Sequence, residues 1–455
     1  MKVLWASIAR VRLHGPGLVQ PTQVKKKAAS LAPRLPDRPS DPSSKPNRNL
    51  AAAAVGAPPT REGLTMAPPP ELIDDVAAEI FLRLPPDEPE HLVRASLACK
   101  PWLRIISDPG FLRRYRAFHR TPPLLGYIQR RAVVQGDPEP RLIPTTAVPL
   151  GPNPTFRRAL DCRHGRVLVH VYGGGGLLVW DPVTGDRQVV PNAEIDWLIY
   201  TAAVFCAVSG CDHIDCHGGP FLVVFLATDD HDELVKASVY SSETGAWSMP
   251  VSLGNDCETY VQHRRTIIDA LRKHGGWHYT PYVQPKRGAV VGDGVYFTLR
   301  DLNAIIKYDY RKNCLSMINP PSDSTRNIAL MELEDSSLGF AYIKDATLYL
   351  WSRKVNSEAA EWVKCSVIKL KSMVPLANPS DKAFVVGAAE GVGVIFVSTG
   401  VGLFTIKLNS GQVKKVDEPE VYYSILPYMS FYTPDCGKII ARKAEDSLIT
   451  DVPLN

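Results

Sequence analysis

A chain of 455 residues, 45% hydrophobic and 22% charged, is long enough for two or three domains and has ordinary globular composition. No stretch approaches the roughly 18 consecutive apolar residues of a membrane-spanning helix, and nine scattered cysteines suit a reducing compartment better than a disulfide framework. The formal charge of +5 is uneven: residues 1 to 65 hold 11 Lys and Arg against 3 Asp and Glu, leaving 41 against 44 elsewhere, so the larger part offers no compositional case for nucleic-acid binding.

Residues 1 to 65 are rich in Pro, Ala, Ser and Arg, a composition that cannot bury enough apolar surface to order itself. A basic, acid-poor segment of this kind reads as a disordered tail, as an organelle transit peptide, or as a nuclear signal through Lys25, Lys26 and Lys27. Met66, directly before Ala67 and three prolines, offers a second start. Nuclear or cytoplasmic placement is the expectation.

Three short helices are predicted between residues 72 and 111. Ile73, Val76, Ala77, Ile80, Phe81 and Leu84 recur at three-and-four spacing, with Asp74, Asp75, Glu79 and Arg83 off the stripe. Pro85 and Pro86 stop that helix, and Pro89 among acidic residues suits the start of the next, which carries Leu92, Val93, Leu97, Ala98 and Cys99. Pro101 opens a third helix with Trp102, Ile105 and Ile106, which Ser107, Asp108 and Pro109 are expected to end. Some forty residues cannot bury all of these anchors among themselves, so part of the stripe needs a partner.

The segment resembles the F-box, the module that docks onto the Skp adaptor of cullin-RING ubiquitin ligases. The likeness rests on Leu72, Asp75, Val76, Glu79, Ile80 and the run Leu82 to Pro85, then Leu92, Val93, Arg94, Cys99, Lys100 and Trp102, then Ile106 to Pro109 and Phe111. Ile73 replaces the family's first proline, Ala77 a leucine and Ala98 a valine, all of them apolar. The resemblance implies an adaptor contact formed by Leu72, Ile73, Val76, Ile80, Leu84, Pro85, Leu92, Val93, Cys99, Trp102 and Ile106. The expected division is a tail over 1–65, the F-box over 66–120 and a β domain over 121–455, with a stiff junction at Thr121, Pro122 and Pro123 across which the two activities should separate.

Beyond residue 121 the hydrophobic period becomes two, in short runs such as those from Gly165, Phe221, Gly294, Thr347 and Gly393. A repeat lies beneath them. Trp180 to Gly185, Tyr240 to Gly245, Tyr308 to Asn313, Trp351 to Asn356 and Ile406 to Gly411 each place a bulky strand residue five before Gly or Asn, the residues that tolerate the positive φ of a hairpin turn. Five such units, with the segments around 124–160 and 421–440 closing a sixth, predict a β-propeller of about six blades; two stacked β-sandwiches are the alternative. The whole chain is therefore expected to be α+β and multidomain. Plant F-box proteins with kelch-like or F-box-associated propellers are similar, and the runs from His119 and Leu160 resemble the entry of the grass versions.

Residues 259 to 287 form an insertion with a helix-like stretch (Ile267, Ile268, Leu271), basic flanks and Trp277, Tyr279 and Tyr282; it reads either as a grip for an acidic or single-stranded partner or as a solvated excursion. Cys206, Cys211, Asp212, His213, Asp215, Cys216 and His217 offer enough ligands for zinc, yet their spacing matches no paired-ligand knuckle, and Cys216 and His217 would point oppositely on extended chain. An ordinary loop without zinc is expected there. Gly173 to Gly176 leads into a strand and not into a phosphate-binding helix, and no common catalytic spacing occurs. The expectation is a non-catalytic substrate receptor, with no cofactor or metal, that binds a Skp-family adaptor and, through it, a cullin-RING ligase. A propeller binding or lectin-like protein outside any ligase, or a propeller enzyme, is the alternative.

Overall fold

Among the described residues four helices, not three, precede the sheets: α1 (Asp74–Leu82), α2 (Glu90–Ala98), α3 (Lys100–Ile106) and α4 (Pro109–His119). The computed structural model describes residues 73–131, 140–172, 176–216, 218–254, 257–274, 281–300, 304–321, 327–354, 361–378, 381–389 and 391–433. The tail over 1–65 and Leu72 lie outside these. The Ser107-Asp108-Pro109 stretch that was expected to terminate the helical run ends α3 and also starts α4. The Asp108 carboxylate accepts from the Phe111 N–H at 2.9 Å, and Pro109 fills the first turn, where a missing donor is harmless. Three arginines, Arg113, Arg114 and Arg116, interleaved with Phe111, Leu112 and Tyr115 hide this helix from a periodicity reading.

The helices close over one core: Ala77, Phe81, Leu82, Leu92, Ile106, Phe111, Leu112 and Tyr115. Phe81 meets Trp102 edge to face at 5.1 Å, and the Tyr115 hydroxyl donates to the Leu84 carbonyl at 3.0 Å. Phe431 from the far end of the chain completes the same cluster, with Ile214 packed against it. So small a helical unit thus borrows apolar surface from the β domain. The expected clean separation at residues 121–123 is revised accordingly, because a cut there strips Phe431 from the helical core.

The β part begins with β1 (Leu124–Arg131) and β2 (Leu142–Pro144). Four strands follow as a sheet: β3 (Phe156–Arg163), β4 (Arg166–Val171), β5 (Leu177–Trp180) and β6 (Arg187–Val190). The next comprises β7 (Trp197–Cys206), β8 (Phe221–Asp229), β9 (Val235–Ser241), β10 (Ala246–Trp247) and β11 (Val251–Ser252). After helix α5 (Glu258–His274) come β12 (Ala289–Val291), β13 (Gly294–Leu299), β14 (Ala304–Asp309) and β15 (Cys314–Ile318), then β16 (Ala329–Glu332), β17 (Leu338–Lys344), β18 (Thr347–Arg353) and β19 (Val363–Lys369). The series ends with β20 (Phe384–Ala389), β21 (Val394–Thr399), β22 (Gly402–Lys407), β23 (Val413–Asp417) and β24 (Tyr422–Met429).

Each sheet is an antiparallel meander, and the first strands of neighbouring sheets touch one another around an axis, which makes a six-bladed propeller and excludes two sandwiches. The sixth blade is shared by the two ends of the chain. β24 supplies its inner strand and pairs antiparallel with β1 from Leu124↔Met429 to Arg131↔Tyr422, and β2 lies outside β1. Inner strands crowd where they meet; a Cβ on Gly387 of β20 would lie 2.6 Å from the Ile425 carbonyl oxygen of β24.

The repeat read from the sequence marks the outer hairpins of five blades. Gly185, Gly245, Asn313 and Gly411 sit at φ 76°, 68°, 49° and 68°, as hairpin turns demand, while Asn356 lies outside the described residues. The insertion is helical from Glu258, and its first turn is docked: Tyr260 is fully buried in the core between the second and third blades, and Arg264 donates to the Asp232 carbonyl. Trp277 and Tyr279 lie outside the described residues; Tyr282 has the Arg300 guanidinium over its ring at 5.6 Å.

Candidate functional site

The apolar stripe of α1 divides. Ala77 and Phe81 point into the helical core, whereas Ile73, Val76 and Ile80 stand 71%, 46% and 48% exposed. Spacings of three and four put these three side chains on one outward row. Asp74 and Glu79 flank the row and are tied down, Asp74 to Arg104 at 2.9 Å and Glu79 to Arg83 at 2.9 Å and Arg114 at 2.5 Å. The Arg83 hydrogen bond holds the Glu79 carboxyl below its usual range. Leu97 on α2 is 79% exposed, and Cys99 and Pro85 are also exposed.

Not every residue expected at the partner contact reaches the surface. Leu92 and Ile106 are 1% and 0% exposed and belong to the helical core, so they shape the surface without being part of it. Leu84 and Trp102 are half-buried against that core, and Val93 packs on the propeller side. Trp102→Ala is therefore expected to act first on stability, by about 3 kcal/mol or more for a large truncation beside Phe81. Thermal unfolding followed by circular dichroism checks this, and an unchanged midpoint would place Trp102 outside the core.

The propeller axis carries a second constellation. Asp161 of β3 is fully buried and accepts from Arg163, from Arg287 Nε at 3.1 Å and from the Val204 N–H at 2.9 Å. Arg287 also donates to the carbonyls of Cys162 at 3.0 Å and Ala388 at 3.2 Å, so one guanidinium spans from the first blade to the fifth. A narrow cavity beside it is lined by Lys286, Thr298, Tyr423 and Ser424.

One end of the axis gathers cationic and aromatic side chains. Where β3, β7 and β24 begin, Arg157, Arg158, Trp197, Tyr200 and Tyr423 gather with Arg130 from the end of β1. Burial, then the neighbouring Arg158, holds Arg130 down to about 9, and its Nη1 has no hydrogen-bond partner among the described residues. Burial likewise lowers Lys286 to about 8 and His170 to about 4, the latter with help from Arg157 and Arg158. Arg158 lies 5.4 Å over the Tyr200 ring, and Trp197 is 38% exposed beside it. This mouth of the axis is cationic and aromatic. The opposite end, where β7 and β24 finish, carries Phe431 and the 207–220 loop and meets the helical module.

That loop leads into the strand at 221 as expected, and it turns through positive φ at Gly210 and His213 so that Cys206, Cys211, His213 and Cys216 converge. His217 lies outside the described residues. Burial, together with the nearby Cys206, pushes the Cys216 thiol up to about 12.

Two family models match the chain, the F-box domain over residues 70–114 and the F-box protein AT5G49610-like β-propeller over residues 158–435. Among solved structures, a chain of the mitotic checkpoint complex is similar at 13% identity with TM-score 0.32, over 64% of this chain and 75% of that one. A virginiamycin B lyase from Staphylococcus aureus is similar at 10% identity with TM-score 0.32, over 65% of this chain and 85% of the lyase. The extracellular domain of a hybrid two-component system from B. thetaiotaomicron matches at 12% identity with TM-score 0.30, over 65% of this chain and 30% of that one. No curated protein matches. No helix among the described residues is long and apolar enough to cross a membrane.

Proposed function

The chain belongs to the F-box protein AT5G49610-like β-propeller family, and from that premise we propose that it is the substrate-recognition subunit of a Skp–cullin–F-box ubiquitin ligase. The observation that carries this reading is the outward row Ile73, Val76 and Ile80 on an F-box whose own core is already filled. An apolar row left in water by a closed core calls for a partner, and for F-box modules that partner is a Skp-family adaptor. The receptor itself performs no catalysis: it raises the effective concentration of a target near a ubiquitin-loaded enzyme. Placement is nuclear or cytoplasmic, where such ligases work. The test is co-purification of the full chain with the Skp adaptor and a cullin; a folded chain that captures neither would sink the reading.

The target side is the far mouth of the propeller. Adaptor module and cationic mouth occupy opposite ends of the axis, so a bound target does not compete with the adaptor for surface. Desolvated Arg130, Arg158 and Lys286, with Arg130 Nη1 unpartnered among the described residues, favour an acidic or phosphorylated segment. An acidic peptide probe is expected to bind with salt-sensitive affinity, and Arg130→Gln with Arg158→Gln to weaken it by roughly tenfold or more. Equal binding of acidic and neutral peptides would remove this target class while leaving the adaptor reading intact.

A further inference from the structure

Between Cys206, the last residue of β7, and Phe221, the first of β8, the chain reverses through Gly210 (φ 70°) and His213 (φ 58°). That path brings the sulfurs of Cys206, Cys211 and Cys216 and a ring nitrogen of His213 within 4.8 Å of one another. Tetrahedral zinc, with bonds of about 2.3 Å to sulfur and about 2.0 Å to nitrogen, sets its ligand atoms about 3.5 to 3.8 Å apart. Cys216 Sγ already stands 3.7 Å from His213 Nδ1. Contraction by no more than about an ångström brings the four donors to zinc-binding distances.

We propose that Cys206, Cys211, His213 and Cys216 form a Cys3His site for one structural zinc ion, and that this ion clamps the 207–220 loop against the F-box. The donor set is soft and contains no carboxylate, which selects zinc over magnesium or calcium. Four protein ligands leave no open position, so the ion holds structure and does no chemistry.

Surrounding groups fit a thiolate-rich ion. The Val208 N–H donates to Cys206 Sγ at 3.4 Å and the His213 N–H to Cys211 Sγ at 3.4 Å, contacts that favour charged sulfur. His164 stacks on the His213 ring at 3.8 Å and 7°, and its Nδ1 accepts from the Cys206 N–H at 3.2 Å, which fixes the plane of the ligand ring. Charge supplies an independent sign. Arg166 is 2% exposed, and its guanidinium lies 3.9 Å from Cys216 Sγ while donating to the carbonyls of Cys216 and Gly219. No carboxylate pairs with it among the described residues. Zinc with three thiolates and a neutral histidine carries one net negative charge, the counterion that this buried guanidinium needs.

The consequence for assembly follows from what lies between the ligands. Ile214 and Asp215 sit between His213 and Cys216; Ile214 packs on the F-box core and Asp215 pairs with Arg116 of α4 at 2.5 Å. The ion would fix both side chains and with them the angle between adaptor module and propeller.

The test uses the full chain, purified in reducing buffer from zinc-replete medium. Elemental analysis is expected to find close to one zinc per chain. Cobalt substitution is expected to give the visible bands of a tetrahedral centre with sulfur-to-metal charge transfer, a readout that needs no variant to fold. Cys211→Ser with His213→Ala, the two less buried ligands, should lower zinc affinity by at least roughly tenfold, while Cys257→Ser leaves it unchanged. After chelation, hydrogen exchange should rise about tenfold or more across 207–219 and in α4, but not in the fourth and fifth blades. Zinc below about one-tenth per chain with no cobalt spectrum, or a disulfide between two of the three cysteines in reducing buffer, overturns the site. Stoichiometric zinc with α4 exchange unmoved by chelation overturns the clamp.

Discussion

Ile80→Asp is expected to abolish adaptor binding by a chain that remains fully folded. Ile80 is about half exposed in the free protein, one turn of α1 away from Val76, and its neighbours in the row are exposed as well. An adaptor that covers this row desolvates each side chain, and a carboxylate placed there has no partner once water is excluded. The loss should be about 3 kcal/mol or more, near 100-fold in Kd. Helix α1 itself should lose only about 0.5 kcal/mol from the change in intrinsic propensity. Titration calorimetry against the Skp adaptor, with circular dichroism on the same sample, separates the two effects. Wild-type affinity in a folded Ile80→Asp chain would show that the row faces something else.

Arg287→Met should produce the largest loss of stability in the propeller. The substitution keeps volume and removes a guanidinium that bonds Asp161, the Cys162 carbonyl and the Ala388 carbonyl across the axis. Asp161, at 0% exposure, is then left with Arg163 as its ionic partner among the described residues, and two carbonyls lose a donor. Breaking a buried pair of this kind costs about 3 to 5 kcal/mol. The urea midpoint, read from tryptophan fluorescence, checks it. A shift equivalent to less than about 1 kcal/mol would mean that water replaces the guanidinium and that blade packing alone holds the ring.

What the sequence disclosed depends on the range of the physics involved. The α1 stripe and the hairpin turns at Gly185, Gly245, Asn313 and Gly411 are local: side-chain spacing and positive φ act within a few residues, and both were legible. Helix α4 was missed although it too is local, because arginines interrupt its apolar rhythm; the Asp-Pro pair with Phe111 three residues after Asp108 was the signal available. Which residues of the F-box face outward could not be read from periodicity, since Ile80 and Leu92 look alike until Phe431 and Ile214 are known to fill the core. The convergence of Cys206, Cys211, His213 and Cys216 is not legible from ligand spacing for a related reason: it depends on two left-handed residues in the turn. Asp161, Arg163 and Arg287 gave no sign at all, because an axis exists only after six blades have closed around it.

Ring closure has a bearing on synthesis. β1 leaves the ribosome early, yet its partner β24 is made roughly 300 residues later, and a contact of such sequence separation forms late and slowly. Phe431, which completes the F-box core, follows directly after β24. During most of translation the chain therefore displays an unpaired strand edge at β1 and an unfinished docking module together. A polypeptide cut short before Tyr422 carries both defects, so it is recognisable to quality control as incomplete and is a poor competitor for the adaptor. If the chain is the receptor proposed above, the placement of two late segments would make adaptor docking conditional on a finished ring.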